Sequence, residues 1–339
     1  MAPPKLPRAV AEETHAAVAR TGSVAAAARE LGLSKSTVEG RYDRARQEFG
    51  LPEVRNTVAG FSAKARPYNP EEPPRCDLTA EMTIRDGVML CFGDAHWTTP
   101  DQPRSLAHEA LLAAIPDIAP SVILSVGDLM DLGEPSRHAP LMWQRRHRVR
   151  DELDAARLHL GDIVALAPKA RRWWIRGNHD DRFDKWLADN AAAFEGIHGL
   201  ALQDHFPDWD FCWRLNINAD VVAMHRFHGG IHAGWNNTVK AGMTTITGDT
   251  HSLEAKPNVD MRGRRWGIQT GMLGDPAWPC FHYMMGNTRL WTPGFVVLTW
   301  RDGELMPPEL CEVVNGVAWF RGKALAGKPR IRVQAGRAA

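Results

Sequence analysis

The sequence predicts an α/β fold, and three observations lead to this prediction. Short apolar runs that read as buried strands alternate with longer segments whose apolar residues have helical spacing. Each of these strands ends on a cluster of polar residues. The chain has 339 residues, of which 44% are hydrophobic, so it can bury a large core. In a sheet of this kind the functional residues lie where the strands end.

Five strands and three helices make up the first part of the predicted sheet. The strands are GVMLCFGD (87–94), SVILSVGD (121–128), ARRWWIRGN (170–178), DVVAMHRF (220–227) and MTTITGDT (243–250). The helices are SLAHEALLAAI (105–115), RHRVRDELDAARLHLGDIVAL (146–166) and DDRFDKWLADN (180–190). After about residue 260, the runs RRWGIQTGML (264–273) and GFVVLTW (294–300) predict further strands that complete the sheets.

The formal net charge of +1 conceals three segments of opposite sign. Residues 1–66 have 11 basic and 7 acidic side chains, residues 67–320 have 24 and 33, and residues 321–339 have 6 and none. An acidic body therefore lies between two basic ends. We predict a domain at 1–66, a linker at 67–80 that contains the prolines of PYNPEEPPRC, an α/β body at 81–320 and a basic tail at 321–339. The tail is either a second phosphate-contacting arm or a disordered solubilising segment.

Several classes of protein are excluded by what the sequence lacks. It has no run of about eighteen apolar residues, and its N-terminus has no signal-peptide pattern, so we expect no membrane partner. The five cysteines are scattered without a CxxC spacing, which disfavours a disulfide framework or a zinc ribbon. We expect a location in the cytoplasm of a bacterium or a phage-infected host cell. The oligomeric state is not indicated.

Residues 21–46, TGSVAAAARELGLSKSTVEGRYDRAR, have the spacing of two helices joined by a tight turn. Ala28 allows the helices to cross closely, Gly32 takes the positive φ of the turn, and Val38 anchors the second helix in a shared core. Ser34 is placed to cap the second helix. The outward face of that helix offers residues suited to phosphates and base edges in a major groove: Lys35, Ser36, Thr37, Arg41 and Arg44.

This segment resembles the helix-turn-helix of phage and bacterial regulators, recombinases and small terminase subunits. The resemblance implies that the N-terminal domain binds DNA. Two acidic residues on the second helix, Glu39 and Asp43, keep open the alternative of a helical hairpin that only dimerises.

Five short motifs follow the predicted strands of the body. They are GDAH (93–96), GDLMD (127–131), GNHD (177–180), the histidine that ends VVAMH (225), and GDTH (248–251). Each alone is an ordinary turn with a helix cap. Together they supply carboxylate, imidazole and amide donors, a mixed set that suits manganese, iron, zinc or nickel better than calcium or magnesium.

In this order the motifs resemble the calcineurin-like metallophosphoesterase superfamily and look like those of phage-encoded members. The resemblance implies a four-layer αββα sandwich of two mixed sheets and a centre of two divalent cations, with manganese favoured. It implies that Asp94, His96 and His251 hold the first metal, that Asp128 bridges both, and that Asn178, His225 and Asp249 hold the second. His179 would donate a proton to the leaving oxygen, and Asp131 would support it.

The resemblance also implies hydrolysis of phosphomonoesters or phosphodiesters by metal-activated water, and the basic ends favour nucleic acid or nucleotides as substrate. One residue departs from the superfamily pattern, because Asp249 stands where the superfamily has histidine. The alternative function is therefore a DNA-binding regulatory or packaging-type protein whose phosphoesterase body is catalytically weakened. His228 competes with His225 for the fourth motif. The candidates for contact with the substrate phosphate are Arg137, Arg182 and His228.

Overall fold

The structure, a computed structural model, describes residues 6–21, 24–51, 58–59, 77–140, 144 and 146–328. These residues fall into two compact units. The first contains the described residues up to 59 together with Met82–Asp86, and the second contains residues 77–81 and the described chain from Gly87 onward.

The first unit contains three helices, α1 (Arg8–Thr21), α2 (Val24–Leu31) and α3 (Lys35–Phe49). Their shared core is formed by buried side chains from all three helices, among them Val18, Ala28 and Val38. Gly32, between α2 and α3, has a φ of 63°. Ser34 caps α3 by accepting a hydrogen bond of 3.1 Å from the backbone N–H of Thr37. These features are those expected from the sequence, whereas DNA binding stays a prediction.

The second unit is an α/β body. Its helices are α4 (Leu106–Ile118), α5 (Val149–Leu166), α6 (Asp181–Asn190) and α7 (Ala233–Ala241). Numbered after a short first strand β1 (Val58–Ala59), its strands are β2 (Asp77–Ile84, whose last three residues belong to the first unit), β3 (Gly87–Phe92), β4 (Val122–Ser125), β5 (Arg171–Ile175), β6 (Asp210–Ile217), β7 (Val221–Met224), β8 (Thr244–Thr247), β9 (Leu253–Asp260), β10 (Gly263–Thr270), β11 (Gly294–Arg301), β12 (Glu304–Leu305), β13 (Glu309–Val314), β14 (Val317–Phe320) and β15 (Lys323–Gly327). The predicted mixed α/β fold is confirmed.

The strands join in one hydrogen-bonded order, β15-β14-β13-β11-β3-β4-β5-β6-β7-β8-β10-β9, rather than in two separate sheets. The sheet is mixed, because β3, β4, β5 and β6 are parallel neighbours while β11 and β7 run antiparallel beside them. Strands far apart in this order also touch, since β10 contacts β11 and β9 contacts β13. The sheet therefore folds back on itself and forms two layers that stay connected by strand-to-strand hydrogen bonds.

The central strands are buried on both faces. Along β3 and β4, Leu90 and Ile123 pack in one cluster with residues of α4 and α5. Their neighbours Met89 and Leu124 point to the opposite face and are also fully buried. Strands buried on both faces read as continuous apolar runs, which is why the sequence revealed them. Their carboxyl ends lie at one edge, where the motif residues follow.

Two predicted boundaries are corrected by the strands. The span expected as linker, 67–80, ends earlier, because β2 begins at Asp77 and its alternating side chains Ala80, Met82 and Ile84 are buried; residues 67–76 lie outside the described residues. The expected tail, 321–339, also starts later, because β15 pairs with β14. Arg321 and Gly322, with φ of 49° and 74°, form the two-residue turn between them. Residues 329–339 lie outside the described residues.

Candidate active site

The five motifs meet at one edge of the sheet because their strands are neighbours there. Asp94 and His96 follow β3, Asp128 follows β4, and the remaining residues follow β5, β7 and β8. Backbone hydrogen bonds tie the loops together, for example from Asp94 N–H to the carbonyl of Gly127 at 2.8 Å. The site is thus built from adjacent strand ends that are bonded to one another.

Five of the candidate ligands have a left-handed backbone conformation. Their φ angles are 51° at Asp94, 48° at His96, 52° at Asp128, 66° at Asp249 and 55° at His251. Non-glycine residues rarely adopt this conformation, and each such residue costs conformational free energy that the surrounding structure must offset. The clustering of this strain at the motif loops marks them as a functional site.

The first group of side chains contains Asp94, His96 and His251. Nε2 of His251 lies 3.2 Å from Oδ1 of Asp94 and 3.3 Å from Nε2 of His96. All three residues are buried, and the ring of Trp291 packs edge-on against His251 with centroids 4.0 Å apart. Each side chain offers a donor atom within 4.8 Å of the others, so the three can bind one cation.

The second group centres on Asp128 and His225. Nε2 of His225 lies 3.2 Å from Oδ2 of Asp128, and its Nδ1–H donates to the carbonyl of Val126 at 2.6 Å. That hydrogen bond directs Nε2 toward the carboxylates. Asp94, Asp128 and His225 again offer donor atoms within 4.8 Å of one another. Asp128 thus lies beside both Asp94 and His225, where a bridging carboxylate would be needed.

Two expected ligands of the second metal are less buried than the other candidate ligands. Asn178 is exposed and lines a cleft beside the site. Oδ1 of Asp249 is 3.9 Å from Nε2 of His225, while its Oδ2 forms an ion pair of 3.4 Å with Nε of Arg226. The structure therefore brings Asp249 to the edge of the group, with a cation of the chain itself as its nearest partner.

Four buried side-chain atoms that could bind a metal ion have no hydrogen-bond partner among the described residues: Oδ2 of Asp94, Nδ1 of His96, Nε2 of His225 and Nδ1 of His251. Buried polar atoms in native proteins are normally satisfied. A mixed set of carboxylate oxygens and imidazole nitrogens is the donor chemistry of first-row transition metals. The residues present therefore fit divalent cations.

The electrostatics of the site are those of a crowded carboxylate and imidazole cluster. Burial lowers the pKa of His96 to about 4. Burial acts in the same direction on His225, but Asp128 and other carboxylates outweigh it and raise its pKa to about 10. In turn, His225 and His179 hold the pKa of Asp128 well below its ordinary value in spite of burial. The carboxylates thus carry negative charge that attracts cations.

His179 lies between the site and a neighbouring cavity. Its backbone N–H donates to Oδ1 of Asp128 at 2.8 Å, and its Nδ1 lies 2.7 Å from the backbone carbonyl of Asp131. Nε2 lies 3.0 Å from the guanidinium of Arg182, which also donates to the Asp131 carbonyl at 2.8 Å. Because a guanidinium only donates, Nε2 can accept this hydrogen bond only while the ring is neutral with its proton on Nδ1.

Opposing influences act on the proton affinity of this histidine. Burial lowers the pKa of His179, and so does Arg182, but Asp128 and Asp131 outweigh both and raise it above the ordinary value. Burial raises the pKa of Asp131, but the rings of His179 and His96, each 3.4 Å from its Oδ1, outweigh burial and hold this pKa below its ordinary range. A ring whose pKa is raised by neighbouring carboxylates is suited to gain and lose a proton.

Sequence reasoning missed two buried carboxylates that hold the motif loops. Asp180 accepts hydrogen bonds from the backbone N–H groups of Asp128, Leu129 and Gly177 and from Nε1 of Trp174, at 2.9 to 3.1 Å. Glu152 of α5 accepts from the backbone N–H groups that follow Asp131. Asp180 belongs to the GNHD motif, which was the available signal, whereas nothing in the sequence marks Glu152.

The other predicted residues are partly at the site. Arg182 and the exposed Arg137 line the cleft beside Asn178. His228 is half-buried, its backbone N–H donates to Asn237, and it belongs to no group of potential ligands among the described residues.

On α3, Lys35, Ser36 and Thr37 are exposed. Arg41 is half-exposed, and Arg44 pairs with Glu48 at 2.6 Å. Within the part of the chain that the structure describes, no helix is long and apolar enough to cross a membrane. The cytoplasmic location stays a prediction.

Comparison with known proteins points to one family. Residues 88–251 match the model of the calcineurin-like phosphoesterases. The Gene 54 protein of Mycobacterium phage L5 is 24% identical over 231 residues, which cover 61% of this chain and 88% of that protein.

Two solved structures resemble the chain more distantly. Vps29 of Chaetomium thermophilum has a TM-score of 0.36 and 10% identity, over 67% of this chain and 92% of its own. Nuclease MPE of Pseudomonas putida has a TM-score of 0.27 and 12% identity, over 65% and 86%. These low TM-scores carry no argument about function.

Proposed function

We propose that this chain is a metal-dependent hydrolase of phosphodiesters or phosphomonoesters of nucleic acids or nucleotides, because residues 88–251 match the model of the calcineurin-like phosphoesterases. The observation that carries the proposal is the meeting of Asp94, His96, Asp128, His225 and His251 at one buried edge of the sheet. Bound there, two divalent cations would supply Lewis acidity and activate a water molecule for attack on phosphorus.

The residues of the chain divide the remaining work. Asp94, His96 and His251 would hold one cation, Asp128 would bridge, and the second cation would take His225 with Asn178 and Asp249. We assign the proton for the leaving oxygen to the protonated form of His179, at Nε2, which lies beside Arg182 and lines a cavity of about 510 Å³ beside the site. Hard carboxylate donors, including Asp249 where the superfamily has histidine, favour manganese.

The proposal is tested by hydrolysis of bis(4-nitrophenyl) phosphate and 4-nitrophenyl phosphate by metal-free protein to which Mn²⁺ is added. We expect metal-dependent turnover. Asp94→Asn should lower kcat/KM at least about 100-fold, since even partners behind the ligands change activity about 10- to 100-fold. His179→Ala should lower kcat about 100-fold or more. The exposed Asp208→Asn serves as control. Absence of turnover, or turnover that survives both substitutions, overturns the proposal.

We assign DNA binding to the N-terminal unit, supported by the exposed Lys35 and the half-exposed Arg41 on α3. Replacing both by glutamine should weaken binding to a duplex and reduce the slope of log Kd against log salt by about 0.9 for each phosphate that the variant no longer neutralises. Arg8→Gln, on the exposed side of α1 and paired with Glu12, is the matched control. An unchanged slope, with dimers that dissociate in the double variant, would favour the dimerisation hairpin.

A second candidate function is supported by the ion pair between Asp249 and Arg226. If that pair displaces a metal ligand, the body is a weakened phosphoesterase in a DNA-binding regulatory or packaging-type protein. This alternative predicts duplex binding by the full chain with one metal ion bound per protein and no Mn²⁺-dependent turnover. Metal analysis of the purified chain, combined with the two aryl substrates, separates it from the enzyme.

A further inference from the structure

A cationic cleft lies beside the candidate metal centre. It has a volume of about 750 Å³, and Asn178 of the GNHD motif is part of its wall. Four cationic side chains and one carboxylate, that of Asp189, line it, although residues 67–320 as a whole carry more acidic than basic side chains. The cationic residues are Arg137, Arg182, Lys185 and Arg226. A local reversal of charge at the site marks a surface for an anionic ligand.

The cations of this cleft are accessible. Arg137 is exposed, and among the described residues it forms no ion pair. The side chains of Lys185 and Arg226 are 75% and 67% exposed although they pair with Asp181 and Asp249. Their carboxylate partners are only 7% and 20% exposed, so each cation can contact a phosphate on its solvent side while it keeps its carboxylate.

Helix α6 presents the cleft residues in a regular array. Arg182, Lys185, Trp186 and Asp189 all line the cleft and follow at intervals of three and four residues, which places them on one face of the helix. In the middle of this face, Trp186 is 48% exposed. An exposed tryptophan among cations offers a flat apolar surface next to positive charge.

An apolar pocket of about 510 Å³ adjoins the cleft, and Pro135 and Trp186 line both. Its other walls come mainly from apolar side chains, including Phe183, Leu187 and Leu200. A ligand that fills both spaces must have an anionic part for the cleft and a flat, uncharged part for Trp186 and the pocket. A nucleotide has these two parts, joined by a sugar.

We propose that the cleft and the adjoining pocket bind single-stranded nucleic acid, with backbone phosphates on Arg137, Lys185 and Arg226 and a base stacked on Trp186. The inference rests on the proposed function, because the strand bound in the cleft would continue from the phosphate at the metal centre. The unpaired strand is required, since a base within a duplex has no free face for the indole.

The test uses the full chain in EDTA, so that nothing is hydrolysed, and measures the fluorescence anisotropy of labelled octathymidylate and of an abasic octamer with the same phosphates. Neither pairs with itself, so neither offers the N-terminal helices a major groove. The wild-type chain should bind the thymidine octamer more tightly. Trp186→Leu should weaken thymidine binding about 5- to 150-fold and leave abasic binding almost unchanged. Trp186→Tyr should restore most of the preference.

Arg137→Gln should weaken both octamers and reduce the salt slope by about 0.7. Trp319→Leu, at an exposed tryptophan of β14, and Arg150→Gln, at an exposed arginine of α5, are the matched controls and should change neither affinity. Equal binding of the two octamers by the wild-type chain, or a preference that survives Trp186→Leu, overturns the inference. Failure of the proposed function shows itself separately, as absence of Mn²⁺-dependent hydrolysis of the aryl substrates.

Discussion

At the scale of single residues, Asp180 does most to hold the motif loops in register. Its carboxylate accepts four hydrogen bonds from donors in three segments of the chain. Burial, together with the nearby Asp128, raises the pKa of Asp180, and the hydrogen bond from Gly177 opposes this. Because Asp180 is fully buried, its influence on chemistry passes through the positions of Asp128 and Gly177.

Asp180→Ala should lower the free energy of unfolding by about 3 kcal/mol or more, because several buried donors lose their acceptor. Asp180→Asn should cost less, since one amide oxygen can still accept from the three donors that now share Oδ2. Urea unfolding monitored by circular dichroism measures both, with Asp208→Ala as control. Equal stability of the alanine variant and wild type would contradict this role.

The types of the site residues could be predicted from the sequence, but their settings could not. The order of motifs indicates which side chains follow the strands, as for Asp94 and His225. Whether Asn178 points outward, or Asp249 pairs with Arg226, depends on loop conformations that bring distant segments together. The donors of Asp180 and the support from Glu152 are tertiary contacts of the same kind.

At the scale of elements, the glycine in four of the five motifs lets a strand end approach its neighbour. A Cβ atom built on Gly177 would lie 2.0 Å from Oδ1 of Asp128, far inside contact distance. Gly161, in α5, has nothing within 4 Å of such an atom and a helical backbone. Gly177 therefore permits the close approach of two loops, whereas Gly161 only adds conformational freedom to the unfolded chain.

Gly177→Ala should displace the Asp128 carboxylate or the loop, and we expect a loss of stability of about 2 kcal/mol with loss of most Mn²⁺-dependent activity. Gly161→Ala should raise stability by about 0.5–1 kcal/mol and leave activity unchanged, because alanine reduces the freedom of the unfolded helix segment. Thermal unfolding and the aryl diester assay read both out. An active, stable Gly177→Ala would show that the close approach is dispensable.

Element boundaries were predicted well where apolar runs are buried on both faces, and poorly in the C-terminal meander. There the turns carry a readable signal, since Asp302-Gly303 and Asn315-Gly316 have the paired positive φ angles of tight hairpins. The third turn, Arg321-Gly322, lacks that signature, so the basic residues beside it suggested a tail instead of a strand.

At the scale of the whole molecule, the body contains a second histidine cluster, formed by residues that are not among the candidate metal ligands. His108 of α4 and His159 of α5 are buried, their rings meet edge-on at 4.9 Å, and both contact Trp97. None of their ring nitrogens has a hydrogen bond among the described residues. Burial lowers the pKa of His108 to about 3 and that of His159 to about 4.

These histidines should make the fold sensitive to acid. Below about pH 6.5 each of these histidines binds a proton in the unfolded chain but stays neutral in the folded chain. The free energy of unfolding therefore falls between pH 6.5 and about pH 4, by at most about 1.4 kcal/mol per pH unit for each histidine. Urea unfolding at pH 7.5, 6 and 5 in EDTA should show this slope. Replacing both by leucine should flatten it, and His198→Gln, at an exposed histidine, should not. An unchanged slope in the double variant would contradict the assignment.

The backbone hydrogen bonds between the motif loops have a consequence for metal loading and for the exchange of metal-binding side chains. The N–H groups of His96 and Gly248 bond to the carbonyls of Asp128 and His225, at 3.2 and 3.0 Å, with no side chain or cation involved. The chain can therefore complete its folding first and load metal afterwards, unlike small domains that fold only around their ion. For the same reason, substitution of one metal-binding side chain, such as Asp249, should leave the backbone frame that presents it intact.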